Sequence, residues 1–557
     1  MIIHPLLVKK TATFQTKTIN PSVTEQTYTP DTGKDGFSSV TVKAVDNTID
    51  ANIQAGYIKE GVTILGVTGT FEGSATDQPT VGKSSIVINA TAGGKGLAGV
   101  TVTIANTEDS SVSFTGTTDA NGRFYQQVNA GTYTVSVSDN GDYITPDNQT
   151  IEASINEANY CYMIYRTLSV TYGVKIDLAN SNPETSVTYT DDAVGFDKSY
   201  MDFKNDTFVY GSWQDKFPFN QVRPCLFKDG AVVKYLNPDN YAKDVDGNDV
   251  VITGADGDVM IEIPKVYYRL HKDENYQYIQ ISDTAQEGFC CLAHTYKGVE
   301  KDKVYIGAYQ SYYDGTKSRS VSGVSATGSK SLNNWRDYAH AQGEGYENFY
   351  WNLLVLLQCL FTIQFKNLDS QTAMGYGWCN AGSAYSTGGG LDTKGLNYCA
   401  SGTGNAQMKW LGIEDFWGSR RTWIDGAYIN GTSLTVADAT SPDMAFSGTG
   451  VGYKTAASGL TTGGGYFTKI VGENSEAGFT PTNFSGSSST YYCDYGYVYS
   501  SYVPSFGGYR SNAANAGAFF VDFGNGASTA NSNYGGRLAL CVIKKLNCVV
   551  ALPLGKI

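Results

Sequence analysis

Residues 507–540 read GGYRSNAANAGAFFVDFGNGASTANSNYGGRLAL. Almost every letter is Gly, Ala, Ser, Asn, Tyr or Phe, and only Arg510, Asp522 and Arg537 carry charge. That palette suits neither a close-packed core nor a catalytic loop. It suits a contact surface, because Tyr gives large contact area at low entropic cost and Ser, Gly and Asn supply adaptable hydrogen bonds. The same letters also serve plain glycine-rich loops. Just upstream, CDYGYVYSSYVPSF (493–506) is again rich in Tyr and Ser, whereas RLALCVIKKLNCVVALPL (537–554) turns apolar and reads as buried strands. A polar, aromatic display surface on closing strands is therefore expected. Its candidate ligand-binding residues are Tyr495, Tyr497, Tyr499, Tyr509, Ser511, Asn512, Asn515, Phe520, Asp522, Asn525, Asn531 and Asn533.

The stretch resembles the C-terminal signature of C-type-lectin-like domains of the formylglycine-generating-enzyme type, found in phage tail proteins and in retroelement-diversified variable proteins. Gly507 and Gly508 match its opening pair, Ala516, Gly517 and Phe519 its Ala-Gly-x-Phe, and Gly535 and Arg537 its close. Three positions depart: Arg510 stands where Trp is usual, Ala513 where Gly is usual, and Gly536 where Phe is usual. A second string, LGIEDFWGSRRTWIDG (411–426), resembles the family's central motif through Gly412, Glu414, Trp417, Gly418, Trp423, Asp425 and Gly426. Within this resemblance Trp417, Trp423, Gly517, Phe519 and Arg537 are structural positions.

Composition agrees with a β-rich, extracellular-style surface. Of 557 residues, 63 are Gly and 40 are Tyr, only 7 are Met, and 17% are charged. The net charge of −13 argues against nonspecific binding to nucleic acid or anionic membrane. Ten cysteines are scattered with no Cys-x-x-Cys, so buried free thiols are expected rather than a zinc or redox motif. MIIHPLLVKK at the N-terminus is too short in its apolar part for a signal peptide. The longest apolar run, FYWNLLVLLQCLFTIQF (349–365), is interrupted by Asn352, Gln358 and Gln364 and reads as a buried helix, not a membrane span.

The expected fold class is mainly β and multidomain: a small N-terminal module, an Ig-like β-sandwich, then a large α+β C-type-lectin-like domain. Residues 1–26 are read as an extended segment. Within 27–79, SSVTVKAV and GVTILGVTGTF read as strands around a short helical piece at 46–58. This text resembles a module of phage tail and fibre proteins, implying virion attachment or oligomerisation. Strand-like runs punctuated by turns over 80–166 predict an all-β, Ig-like sandwich, with Asp119, Asn121 and Gly122 in one tight turn; the run 99–137 resembles carboxypeptidase-regulatory-like or surface-adhesin sandwiches. The last domain spans 167–557. In it GDVMIEIPKVYYRL (257–270) is expected as a strand with Pro264 at an edge or bulge. Two helices are expected, one over 331–343 capped by Ser331 or Asn333, the other from about 346 to 365.

Catalysis is not expected. His4, His271, His294 and His340 share no ligand or triad spacing, and only their position makes Cys493 and Cys541 candidates for the reactive thiols of the formylglycine-generating enzymes. The acidic run at 243–259 fails the EF-hand spacing and reads as two Asp-Gly turns. No metal or cofactor is expected, and GTGVGYKTAASG (448–459) lacks the ending of a P-loop.

What the resemblance implies is a phage tail fibre or tail-tip adhesin at the virion surface. Its partners would be a host cell-surface receptor, glycan or protein, and other virion proteins through the N-terminal modules. A homotrimer is the family expectation, with no nucleic acid and no membrane insertion. The alternatives are a retroelement-diversified variable protein, a structural decoration or baseplate protein, and an enzyme of the formylglycine-generating type.

Overall fold

The structure, a computed structural model, describes residues 77–540 except 93, 142, 168 and 448–451, together with 26–32, 34, 40–42, 63–64 and 67–68. The segment 1–25, the helical piece at 46–58 and the run 541–557, with His4 and Cys541, lie outside the described residues. Two short antiparallel pairs are seen in the N-terminal module, Gln26–Tyr28 with Val40–Val42 and Thr63–Ile64 with Val67–Thr68. The protein is mainly β and multidomain. Contacts divide the chain into two compact units, Met1–Leu168 and Ser169–Ile557.

The first unit contains a two-sheet sandwich. One sheet runs Gln149–Ala153, Gly131–Val137, Thr101–Asn106, Ser113–Thr117; the other runs Tyr143–Ile144, Ala158–Thr167, Ser84–Ala92, Lys95–Gly96, with Arg123–Val128 also paired to Ser84–Ala92. Alternation places Ile86, Ile88, Val102, Ile104, Val135 and Met163 between the sheets. The first long strand and the last are parallel neighbours, from Ser85↔Ala158 to Ala92↔Tyr165. In the turn, the Asp119 carboxylate accepts from the Asn121 and Arg123 amides, and Gly122 has φ +76°.

The second unit is built around a seven-stranded antiparallel sheet. Its order is Asn240–Asp244, Ala231–Asn237, Arg223–Lys228, Asp258–Pro264, Lys303–Gly307, Leu538–Leu540, Tyr346–Asn348. Two corrections to the sequence reading follow. The strand carrying Pro264 is central, and the proline sits at its last position, where the missing N–H removes nothing from the ladder. Residues 346–348 are strand rather than helix, because Leu538–Leu540 pairs with them. The first helix, α1 (Leu332–His340), starts where expected, with Ser331 and Asn334 forming a capping box. The second, α2 (Trp351–Phe365), is buried along its whole length. Two of its amides each make one bond inside: Gln358 donates to Ala518 O (3.0 Å), and Gln364 accepts from the Trp410 indole (2.8 Å). A third helix not read from sequence, α3 (Ser370–Met374), is capped by Asp369.

The two motifs meet at Arg537, which is 1% exposed. Its guanidinium donates to four carbonyls: Gly307 (2.9 Å) and Ala308 (3.1 Å) at the end of the Lys303–Gly307 strand, and Glu414 (2.6 Å) and Asp415 (3.0 Å) in the central motif. Phe349 N donates to Arg537 O at 2.7 Å, and Gly418 N donates to Gly507 O at 3.2 Å. Burial pulls the Arg537 pKa down to about 10, opposed by the charges of Asp415 and Glu414. The other expected structural positions are buried as well: Trp417, Trp423 and Phe519 are at most 1% exposed, and at Gly517 a Cβ would lie 2.3 Å from Asp494 Oδ1 and from Ser370 Oγ.

Arg537→Met removes the donors from four buried carbonyls. It is expected to cost the second unit about 3–5 kcal/mol, read as a shift of the denaturation midpoint by tryptophan emission. All seven tryptophans lie in that unit, so the signal is specific to it.

Candidate binding face

The candidate site is the outer face of a six-stranded sheet. Its order is Gly463–Tyr466, Tyr495–Val498, Val521–Asn525, Val503–Phe506, Arg421–Trp423, Tyr534–Gly535. Period-two alternation sorts the side chains. Val498, Phe506, Val521 and Phe523 face the main core. Tyr497, Asp522, Ser505 and Trp423 are successive cross-strand partners on the opposite face, with Tyr495 and Arg421 two residues along their strands. At one end of this face α1 packs Leu332 and Trp335 onto Trp423, Val503 and Tyr534. The other end is open.

The open end is a row of tyrosines. The Tyr466 and Tyr495 rings meet edge-on at 4.6 Å, and Tyr495 and Tyr497 are tilted at 5.5 Å. Tyr466 OH donates to Asn515 Oδ1 at 2.6 Å. Tyr497 lies over Gly464, where a Cβ would be 2.4 Å from the ring, so the strand under the ring must be glycine. Tyr466, Tyr495, Tyr497 and Tyr509 are half-buried, with edges left accessible.

Beside the row, Arg421 forms an ion pair with Asp522; their side chains are 13% and 4% exposed. Arg421 is caged by aromatic rings, its Cζ lying 5.0 Å from the centroids of Tyr509 and Phe520 and 5.7 Å from that of Tyr534. Tyr534 stacks on Trp423 at 4.3 Å and accepts from Asn525 Nδ2 at 2.7 Å. Burial raises the Asp522 pKa, while the Arg421 charge opposes the rise.

Two of the expected ligand residues are corrected by this geometry. Phe520 is 0% exposed and forms the floor of the Arg421 cage, and Asp522 is 3% exposed and committed to its ion pair. Three asparagines hold turns. Asn512 Oδ1 accepts from Tyr509 N (2.9 Å), Asn531 Oδ1 accepts from Asn533 N (2.9 Å), and Asn533 O accepts from Arg421 N (2.9 Å). Tyr495, Tyr497, Tyr509 and Asn515 are brought together; Ser511 is exposed in the adjoining turn, and Asn525 sits behind Tyr534. Tyr499 stands apart, 42% exposed in the turn before Val503–Phe506. That turn, through Ser501, also walls a cleft of about 360 Å³ lined by Asn333, Tyr428, Asn430 and Ala527. Sequence reasoning missed Arg421, Tyr466 and Tyr534. The pair Arg420-Arg421 in an acidic chain was the available signal for the first; nothing local marked the other two.

Beneath the face, Asp494 fixes the 517–520 turn. It is fully enclosed, accepts from Phe519 N at 2.7 Å, and has no cation partner among the described residues. Burial pushes its pKa well up, and nearby Asp369 adds to the rise. The neighbouring Cys493 thiol is likewise pushed up by burial, which opposes thiolate formation. In the acidic run at 243–259, Asp244 accepts from the amides of Asp246 (3.1 Å) and Asn248 (2.8 Å), and Asp258 pairs with Arg319 from outside the run.

No family model matches the chain, and no curated protein matches it. Among solved structures, similarities are to the shaft pilin SpaA of Lactobacillus rhamnosus GG (15% identity, 33% of this chain, 86% of that one, TM-score 0.14), to the full-length major pilin SpaD of Corynebacterium diphtheriae (14%, 37% and 54%, 0.16), and to BcpA, the major pilin subunit of Bacillus cereus (12%, 40% and 63%, 0.16). The chain thus spans from about half to most of those proteins.

Two measurements check this geometry. Asp522→Leu leaves the caged Arg421 charge unpaired and is expected to cost about 3–5 kcal/mol, whereas Arg421→Met/Asp522→Leu together cost less than that single change; paired denaturation curves decide. For pH, the folded-state pKa of Asp494 is raised, and that of Asp415 rises from 3.8 to about 6. The fold therefore holds protons that the unfolded chain releases, and these two groups lower stability as pH climbs through that window. The tryptophan-detected midpoint should fall less between pH 5 and pH 8 in Asp494→Asn than in the wild type.

Proposed function

We propose that the protein is a non-enzymatic adhesin, a receptor-binding component of a phage tail, whose 169–557 unit is a C-type-lectin-like domain. The observation that supports this reading best is the tyrosine row on a sheet whose reverse side is core. Rings held on such a platform lose little freedom on binding, so contact area converts efficiently into affinity. The convergence of the two motifs at Arg537 supports the domain assignment, since residues more than a hundred positions apart share one hydrogen-bonded node.

Recognition would be by stacking of tyrosine faces on sugar C–H surfaces or apolar protein, with Asn515 and Ser511 fixing orientation. Host receptor, glycan or protein, is the partner on this face; other virion proteins meet the N-terminal modules. Each contact is weak, and a homotrimer would gain affinity through multivalency. Against turnover stands the chemistry of the candidate groups. Cys493 is an enclosed neutral thiol, and burial lowers the His294 pKa to about 4.

The test is binding of the labelled full chain to a panel of bacterial cells and to a glycan array. Tyr495→Ala/Tyr497→Ala, checked for wild-type melting, is expected to weaken binding at least about tenfold, the scale of losing central aromatic contacts. Equal binding by wild type and the folded double variant overturns the assignment of the site to this face.

A further inference from the structure

Charge at the edge of the tyrosine face is unbalanced. Five other arginines pair with carboxylates: Arg123 with Asp77, Arg223 with Glu262, Arg319 with Asp258, Arg336 with Asp425, and Arg421 with Asp522; Arg537 is buried on backbone carbonyls. Arg420 and Arg510 have no carboxylate partner among the described residues, although the chain carries 53 acidic residues against 40 basic ones. The backbone brings the two side by side, with Arg510 N donating to Ser419 O at 3.1 Å. Arg420 Nε donates to Ala326 O (3.0 Å), and its Nη1 donates to Ser532 O. Arg510 Nε reaches only Gly382 O at 3.4 Å, and its Nη1 is buried without a partner. Both residues are half-exposed. The charge of Arg510 adds to burial in pulling the Arg420 pKa down to about 10, as repulsion between neighbouring like charges requires.

Two adjacent, unneutralised guanidiniums with spare N–H donors match a planar or tetrahedral oxyanion. The walls say what would carry it. Tyr509 precedes Arg510 and covers Arg421. The loop that supplies Gly382 O also holds Trp378, whose half-exposed ring meets Tyr385 edge-on at 4.7 Å. Aromatic rings beside a paired cation suit a saccharide bearing an acidic group. A polyanion fits less well, because a chain of net charge −13 repels it at long range.

We infer that Arg420 and Arg510 form an oxyanion subsite for an acidic saccharide at the edge of the binding face, a deepening that rests on the adhesin reading. The full chain is titrated calorimetrically at low ionic strength with sodium glucuronate, glucose 6-phosphate, glucose 6-sulfate and glucose. At least one acidic sugar is expected to bind about tenfold or more tighter than glucose, one good charge-assisted contact being worth that much. The three acidic probes separate carboxylate, phosphate and sulfate. Arg510→Gln should erase the preference and, without ligand, melt no lower than the wild type, since it removes one of two repelling charges; a bracing role for Arg510 would lower the melting temperature. Ser532→Asp keeps both arginines and supplies a carboxylate from an exposed turn, so it too should erase the preference. Equal affinity of the wild type for acidic and neutral sugars, or a preference that survives Arg510→Gln, overturns the subsite. The adhesin reading stands or falls separately, on cell binding by the tyrosine variants.

Discussion

The second unit depends on one buried cation. Arg537 spends its guanidinium on backbone carbonyls from two strands and a turn, rather than on a side-chain partner. Backbone acceptors cannot swing away, so the node fixes the relative position of chain segments that meet nowhere else in sequence. Beneath it the Glu414 carboxylate accepts from Gly388 N with both oxygens at 3.0 Å, and Gln407 bridges Glu414 and Asp415. The charge is distributed over a polar network inside a hydrophobic shell. Such a network is costly if left half-made, and here Gln407 Oε1 and Asp415 Oδ1 are buried acceptors without a partner among the described residues.

From that node the binding face follows by geometry. Leu538–Leu540 completes the seven-stranded sheet, and the segment before it runs through Tyr534–Gly535 at the edge of the six-stranded one. Arg537 thus anchors the strand that follows it and, through the chain, the edge of the face that precedes it. Asp494 does the same for the 517–520 turn from below, and Gly517 is what lets its carboxyl approach. Of the three departures from the signature that the stretch resembles, one fits its surroundings. Gly536 leaves room for Trp335, whose ring a Cβ would meet at 2.5 Å. Ala513 holds φ +49°, a left-handed backbone that costs alanine about 1 kcal/mol and glycine nothing. Arg510 is the departure that leaves its charge unmatched.

Much of this was legible in the sequence, where the signal is local. Short strands recurring between turns announced the sandwich that encloses Ile86, Ile88, Val102 and Ile104, Ser331 announced a helix start, and an apolar run with three amides announced a buried helix rather than a span. The failures share a cause. Tyr346–Asn348 takes its strand from Leu538–Leu540, almost two hundred residues away, and no neighbour in sequence reports that pairing. Phe520 and Asp522 have the composition of a display loop, but they are consumed by Arg421, a hundred residues upstream. Which face of a strand is covered depends on what packs there. Here α1 and the Arg421 cage decide, and neither is visible in residues 507–540.

The parallel pairing of Ser84–Ala92 with Ala158–Thr167 in the first unit has a mechanical consequence. The chain enters the sandwich at one end of this pair and leaves at the other. Tension along the polypeptide therefore pulls the two strands past each other along their length. The hydrogen bonds between Ser85↔Ala158 and Ala92↔Tyr165 are loaded together in shear, instead of opening one after another as in a hairpin pulled from its ends. Arranged in this way, the module bears load as a clamp in the line of force.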